Sequence, residues 1–172
     1  MEPIDPAEAA RLIFLEDEGL YGCAETALIA LQRHYRLPDP DESAPAMALN
    51  GGIAYSGGMC GALTGAALAV GSLTASRIDD HRRAKRASRL LIQRVMTGFH
   101  EAFGATDCRT LTGYDMVADH DAFMADGSWK VDCTKRIQFV VSRLAALRDE
   151  GPWDETVRSL EPAASADPQT TS

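Results

Sequence analysis

From Ser43 to Ser76 the chain carries no charged residue, and Gly, Ala, Ser and Thr dominate the span. A charge-free run of this length can lie buried in a domain or, at about 20 apolar residues, cross a bilayer. The clusters Asn50-Gly51-Gly52 and Ser56-Gly57-Gly58 interrupt it, so a membrane segment is not expected. The pattern predicts a loop followed by a buried central helix over Met59 to Leu73. On that helix Gly57, Gly61, Gly65 and Ala69 recur every fourth position and share one face, a groove that lets another backbone come close. Each internal Gly costs about 1 kcal/mol relative to Ala. Either a closely packed helix or a cofactor must offset that cost, and the packed helix is the plainer reading.

The rest of the chain reads as helices around this one. Hydrophobic residues make up 45% of the 172 and aromatics only 6%, a composition that favours helix over sheet. Asp5-Pro6 with Glu8 is a helix start. A second helix is predicted from Cys23 to Arg36 with Ala24, Leu28, Leu31 and Tyr35 inward, and Pro38 bars its continuation. Asp79-Asp80 opens a basic helix that Gly104 closes, with its arginines read as a solvated face. A short turn follows at Cys108 to Gly113, then a weakly patterned stretch over 114–126. A last long helix is expected from Val131 to Arg148. The fold class is therefore all-α, a bundle of five to six helices around the Gly/Ala-rich central one. Residues 1–150 are expected to form the single domain, and residues 151–172 a disordered tail rich in Pro, Ala, Ser and Thr.

The formal net charge of -8 argues against nucleic acid as a partner. The acidic opening Met1-Glu2-Pro3-Ile4-Asp5 has neither the basic start nor the apolar core of a secretory leader. A cytoplasmic location without membrane attachment is the expectation. Stable disulfides are uncommon in that compartment, which turns attention from cross-links to metal binding or redox chemistry.

Cys23, Cys60, Cys108 and Cys133 each fall in the first turn of a predicted helix. A helix N-terminus carries roughly half a positive charge and unpaired amide protons, a field that favours thiolate. Four such placements out of four suggest one shared site, while composition and spacing alone leave four buried free thiols as the plainer alternative. No Cys-x-x-Cys occurs, so a zinc ribbon or thioredoxin-type pair is disfavoured. Sulfurs from separate helix ends could still gather around an iron–sulfur cluster or a zinc ion. They could equally pair as redox-active disulfides, with Cys60 as an exposed attacking thiolate. Asp107 and Asp132 read as helix N-caps, and Glu25 as a solvated first-turn acid. His34, His81, His100 and His120 lack the spacing of a zinc helix.

The stretch Gly58-Met59-Cys60-Gly61-Ala62-Leu63-Thr64-Gly65 contains Cys-Gly-Ala-x-x-Gly. It follows Gly22-Cys23-Ala24-Glu25 and precedes Cys108-Arg109-Thr110-Leu111-Thr112-Gly113 and Cys133. With four cysteines in this order the chain resembles the C_GCAxxG_C_C family of redox-active proteins over Leu15 to Leu147. The family is similar to the cysteine-bearing domain of split-Soret cytochromes, and the resemblance implies an iron–sulfur cluster and electron transfer. Cys23, Cys60, Cys108 and Cys133 would be its ligands, with Gly61 and Gly65 letting backbone amides approach sulfur. No Cys-x-x-Cys-His is present, so c-type haem is not implied. The expected partner is an electron donor or acceptor protein, and the small-residue groove makes a homodimer plausible. The alternatives are a metal-free thiol–disulfide oxidoreductase and a non-catalytic protein that holds zinc for stability or a partner on its basic helix.

Overall fold

A computed structural model of the chain describes residues 4–16 and 19–160. Eight α-helices run through these residues: α1 Pro6–Leu15, α2 Cys23–Tyr35, α3 Gly61–Arg77, α4 His81–Phe103, α5 Cys108–Thr112, α6 His120–Asp126, α7 Trp129–Ala145 and α8 Glu150–Leu160. Among the described residues there is no strand, and no helix is long and apolar enough to cross a membrane. The all-α expectation therefore holds.

The charge-free run divides as its glycines dictate. Ala44–Leu49 forms a 3-10 turn, and after it the backbone enters the left-handed region at Gly51, Gly52, Ile53, Ala54 and Tyr55 in succession. Such a run is costly for residues with a Cβ, above all for β-branched Ile53. Backbone bonds from Ala54 N to Ala48 O, 2.7 Å, and from Gly58 N to Gly52 O, 3.0 Å, hold it in place. Helix α3 then lies at the centre, packed against α2, α4 and α7. A Cβ on Gly65 would overlap the Ala24 carbonyl, and one on Gly61 would overlap the Cys23 sulfur. The groove is filled by the first turn of α2, the packed-helix reading of its small residues.

The other boundaries follow local chemistry. Asp5 Oδ1 accepts from the amides of Ala7 and Glu8, capping α1, whereas Glu8 turns forward to Arg11 at 2.6 Å rather than back to the cap. Asp80 caps α4 through the Arg83 amide, and Gly104 ends it at φ 79°. The apolar face of α4, Leu91, Val95 and Phe99, is buried, while Arg82, Lys85, Arg86, Arg89 and Arg94 are exposed.

One expectation is corrected at the C-terminal end. Residues 151–160 are not a disordered tail; they belong to α8, which buries Trp153, Val157 and Leu160 in the common core. The Arg77 guanidinium lies 5.0 Å from the Trp153 ring centroid and donates to Leu147 O and Arg148 O. Three apolar residues at helical spacing outweigh the Gly151-Pro152 punctuation, because Pro is tolerated in a first turn. The expected disorder over 161–172 lies outside the described residues.

Candidate functional site

Main-chain pairing brings two of the cysteines together. Met59 and Asp107 form an isolated antiparallel bridge. Cys60 N donates to Thr106 O at 2.8 Å, and Cys108 N donates to Gly58 O at 2.7 Å. The bridge sets the start of α3 beside the start of α5, at the open end of the α3–α4 hairpin. Asp107 caps α5 by accepting from Thr110 N at 2.8 Å, and that bond holds its carboxyl below the usual range.

Cys23 is the first residue of α2, and the loop before α3 closes over it. Asn50 Oδ1 accepts from Ala24 N at 3.0 Å, so a side chain distant in sequence caps this helix. Asn50 Nδ2 donates to Glu25 Oε2 at 2.9 Å, and the same oxygen accepts from Gly22 N at 3.0 Å. Glu25 is only 7% exposed, so it is not the solvated acid that its helix position suggested. It locks the loop to the Cys23 turn.

Cys133 departs from expectation. Helix α7 begins at Trp129, so Cys133 lies in the second turn rather than the first, and Asp132 is an exposed helical residue and not a cap. Its neighbouring cation is Arg136, whose Nη1 lies 3.8 Å from Cys133 Sγ while Nη2 donates to Leu111 O at 2.7 Å. Arg136 therefore ties α7 to the helix that begins with Cys108. Its Nε is buried without a hydrogen-bond partner.

All four cysteines are free thiols. Cys60 feels the fields of Cys23, Cys133 and Cys108, and both Cys108 and Cys133 feel Cys23. The expectation of thiolates at helix ends is overturned, because burial outweighs the helix-terminal field. Burial pushes the Cys60 thiol well above its ordinary value, and the other three thiols push it further. Burial and then Cys23 raise Cys108 to about 11 and Cys133 to about 12, with Arg136 pulling both back. Burial also raises Cys23, opposed by the backbone amides of Gly51, Ala24, Cys23 itself and Gly61. Cys60, at 6% exposure, is not the exposed attacking thiolate of the metal-free reading.

Cys23, Cys108 and Cys133 line a cavity of about 260 Å³ that also touches Glu25, Asn50 and His120. The sequence marks Asn50 only as part of a chain-breaking cluster and gives no local signal for its cap on α2 or for Arg136. Of the histidines, His34 is engaged with Ala145 O at 2.9 Å, His81 and His100 lie exposed on α4, and His120 stacks on Tyr55 at 5.1 Å. Gly61 stands directly against the Cys23 sulfur, whereas Gly65 meets only Ala24. Among the described residues, no group of three or more His, Cys, Asp or Glu side chains is disposed to hold a metal ion.

A family described as "Putative redox-active protein (C_GCAxxG_C_C)" matches residues 21–147. No curated protein and no solved structure matches the chain.

Proposed function

The chain belongs to the C_GCAxxG_C_C family of redox-active proteins, and from that premise we propose that Cys23, Cys60, Cys108 and Cys133 form one redox centre that holds an iron–sulfur cluster and passes single electrons. The observation that carries this reading is geometric: backbone pairing sets Cys60 beside Cys108, Gly61 stands against the Cys23 sulfur, and Cys23, Cys108 and Cys133 line one cavity. A single zinc ion needs its sulfurs about 2.3 Å from one point, and among the described residues no trio of His, Cys, Asp or Glu side chains is so disposed. Four thiolates are the donor set that iron–sulfur clusters take, and a redox-active family favours a redox metal over redox-inert zinc. Bound there, the cluster would supply one-electron redox chemistry over a wide range of potentials.

The chain's own residues would tune and protect that centre. The four thiols are protonated when free, so loading must release protons and strengthen as pH rises. Amides of Gly51, Ala24 and Gly61 directed at Cys23 favour charge on its sulfur and so a higher potential. Arg136, beside Cys133, acts in the same direction.

A metal-free dithiol is the second reading, supported by four unpaired thiols, three of which line one cavity. In it Cys133, the partly exposed thiol beside Arg136, replaces Cys60 as the attacking sulfur and reacts only as pH approaches its raised value of about 12. Anaerobic purification separates the two. The cluster reading expects brown protein with iron and acid-labile sulfide in near-equal amounts, lost when any one cysteine becomes Ser. Colourless, iron-free protein whose thiol count falls on mild oxidation would replace it with the dithiol reading.

A further inference from the structure

The thiol cavity extends beyond what four sulfur ligands need. Cys23, Cys108 and Cys133 form one end of it, and Phe14, Tyr55, Met116, Phe123, Met124 and Trp129 wall the rest. Phe14 and Trp129 meet edge to face at 5.4 Å. Its volume of about 260 Å³ falls just under the roughly 300–1,000 Å³ of ordinary small-molecule pockets, which limits an occupant to one or two rings.

The charges on the wall narrow the class. No Lys or Arg lines the chamber, while the Glu25 carboxylate does. A phosphate- or carboxylate-bearing ligand would therefore meet a wall of its own sign. The side chains at the wall with an O–H or imidazole N–H to donate are Tyr21, Tyr55, 43% exposed, and His120. The hydroxyls of Tyr21 and Tyr55 make no hydrogen bond among the described residues, and the His120 ring has only Asp121 Oδ1 at 3.9 Å beyond its stack on Tyr55. An organic cation would fit the aromatic walls but leave these donors unused.

We infer that this chamber binds a small, flat, uncharged ring compound bearing carbonyl oxygens, a molecule of the quinone class. Its ring packs on the aromatic wall, and its oxygens accept from Tyr55 and His120. The inference deepens the redox reading above, on which it rests for what the ligand does there: the quinone takes two electrons from the reduced sulfur centre, which is thereby oxidised, and two protons from solvent, and leaves as the hydroquinone.

Equilibrium dialysis of the full chain against duroquinone tests it. The ring carbons of this probe are fully methylated, so thiols do not add to it. Saturable binding at one per chain is expected. Tyr55→Phe and His120→Phe keep the ring contact and remove the donors. At about 1 kcal/mol per hydrogen bond, each should weaken binding several-fold and the pair about tenfold or more. Methyl viologen, a flat cation, and benzoate, a flat anion, should bind more weakly than duroquinone. The inference falls if duroquinone does not saturate, if the double variant binds it unchanged, or if either charged probe binds more tightly. Thiol counts and iron content on the same samples keep the two readings apart. Redox-responsive thiols without quinone binding overturn only this inference, and quinone binding to redox-inert protein supports the chamber while removing the redox reading.

Discussion

The carbonyl oxygen of Ala24 occupies the space where a Cβ on Gly65 would lie. This contact sets the separation of α2 and α3, and with it the position of Cys23 relative to Cys60. Gly65→Ala should therefore destabilise the protein despite Ala's better helix propensity. Overpacking costs about 1–3 kcal/mol, against about 1 kcal/mol gained from propensity. Gly71 in the same helix has no atom within 4 Å of a would-be Cβ, so Gly71→Ala should stabilise by up to about 1 kcal/mol. Urea denaturation of the two variants should move in opposite directions.

The thiols set a pH window for the metal-free protein. Each folded thiol titrates above its ordinary value near 9, Cys108 at about 11 and Cys133 at about 12, chiefly through burial. Between the unfolded and folded values the native state holds more protons than the unfolded chain, so stability falls as pH rises. The stabilisation is complete below about pH 9 and lost progressively through pH 11 to 12. Thermal unfolding of metal-free protein should show this decline, and Cys108→Ala together with Cys133→Ala should flatten it.

Arg136 bonds the Leu111 carbonyl while standing beside Cys133. Arg136→Met removes a charged hydrogen bond and should cost about 1.5–3 kcal/mol. Arg136→Gln keeps a donor for Leu111 and deletes the charge, so its stability loss should be smaller. If the cluster reading holds, Arg136→Gln should still lower the midpoint potential of loaded protein. Denaturant titration and potentiometry check the two effects separately.

Trp153 anchors α8 in the common core beneath Arg77. Trp153→Ala should cost about 3–5 kcal/mol, and deletion of residues 151–172 should lower the melting temperature for the same reason. A truncated chain that melts like the intact one would contradict the packing of α8.

The helices of this bundle were legible because their signals are local. The cap at Asp5, the stop at Gly104 and the inward stripe Leu28, Leu31 and Tyr35 each act within a few residues, and the structure places them as the pattern says. The small-residue face of α3 is readable at Gly61 and Gly65, whose cost in a helix only close packing offsets, whereas Gly57 lies before the helix, against Arg109. What stayed hidden depends on partners far along the chain. Asn50 caps a helix that begins 27 residues earlier, and Arg136 reaches back to Leu111. The helix-end field on the thiols is readable from sequence, and so is the chance of buried cysteines, but which of the two wins depends on packing from distant parts of the chain. Cys133 was placed one turn too early because Ser128 starts α7 without any side-chain cap to announce it.

The Met59–Asp107 bridge also separates two kinds of change that evolution or an engineer could make. Helices α3 and α4 leave from this clasp and return to it, so the hairpin is an arm whose far tip, around Ile78 to Asp80, lies at the opposite end. Whole turns added or removed at that tip would lengthen or shorten the arm and leave the Cys60–Cys108 juncture untouched. A single residue inserted inside the clasp would instead shift one sulfur relative to the other.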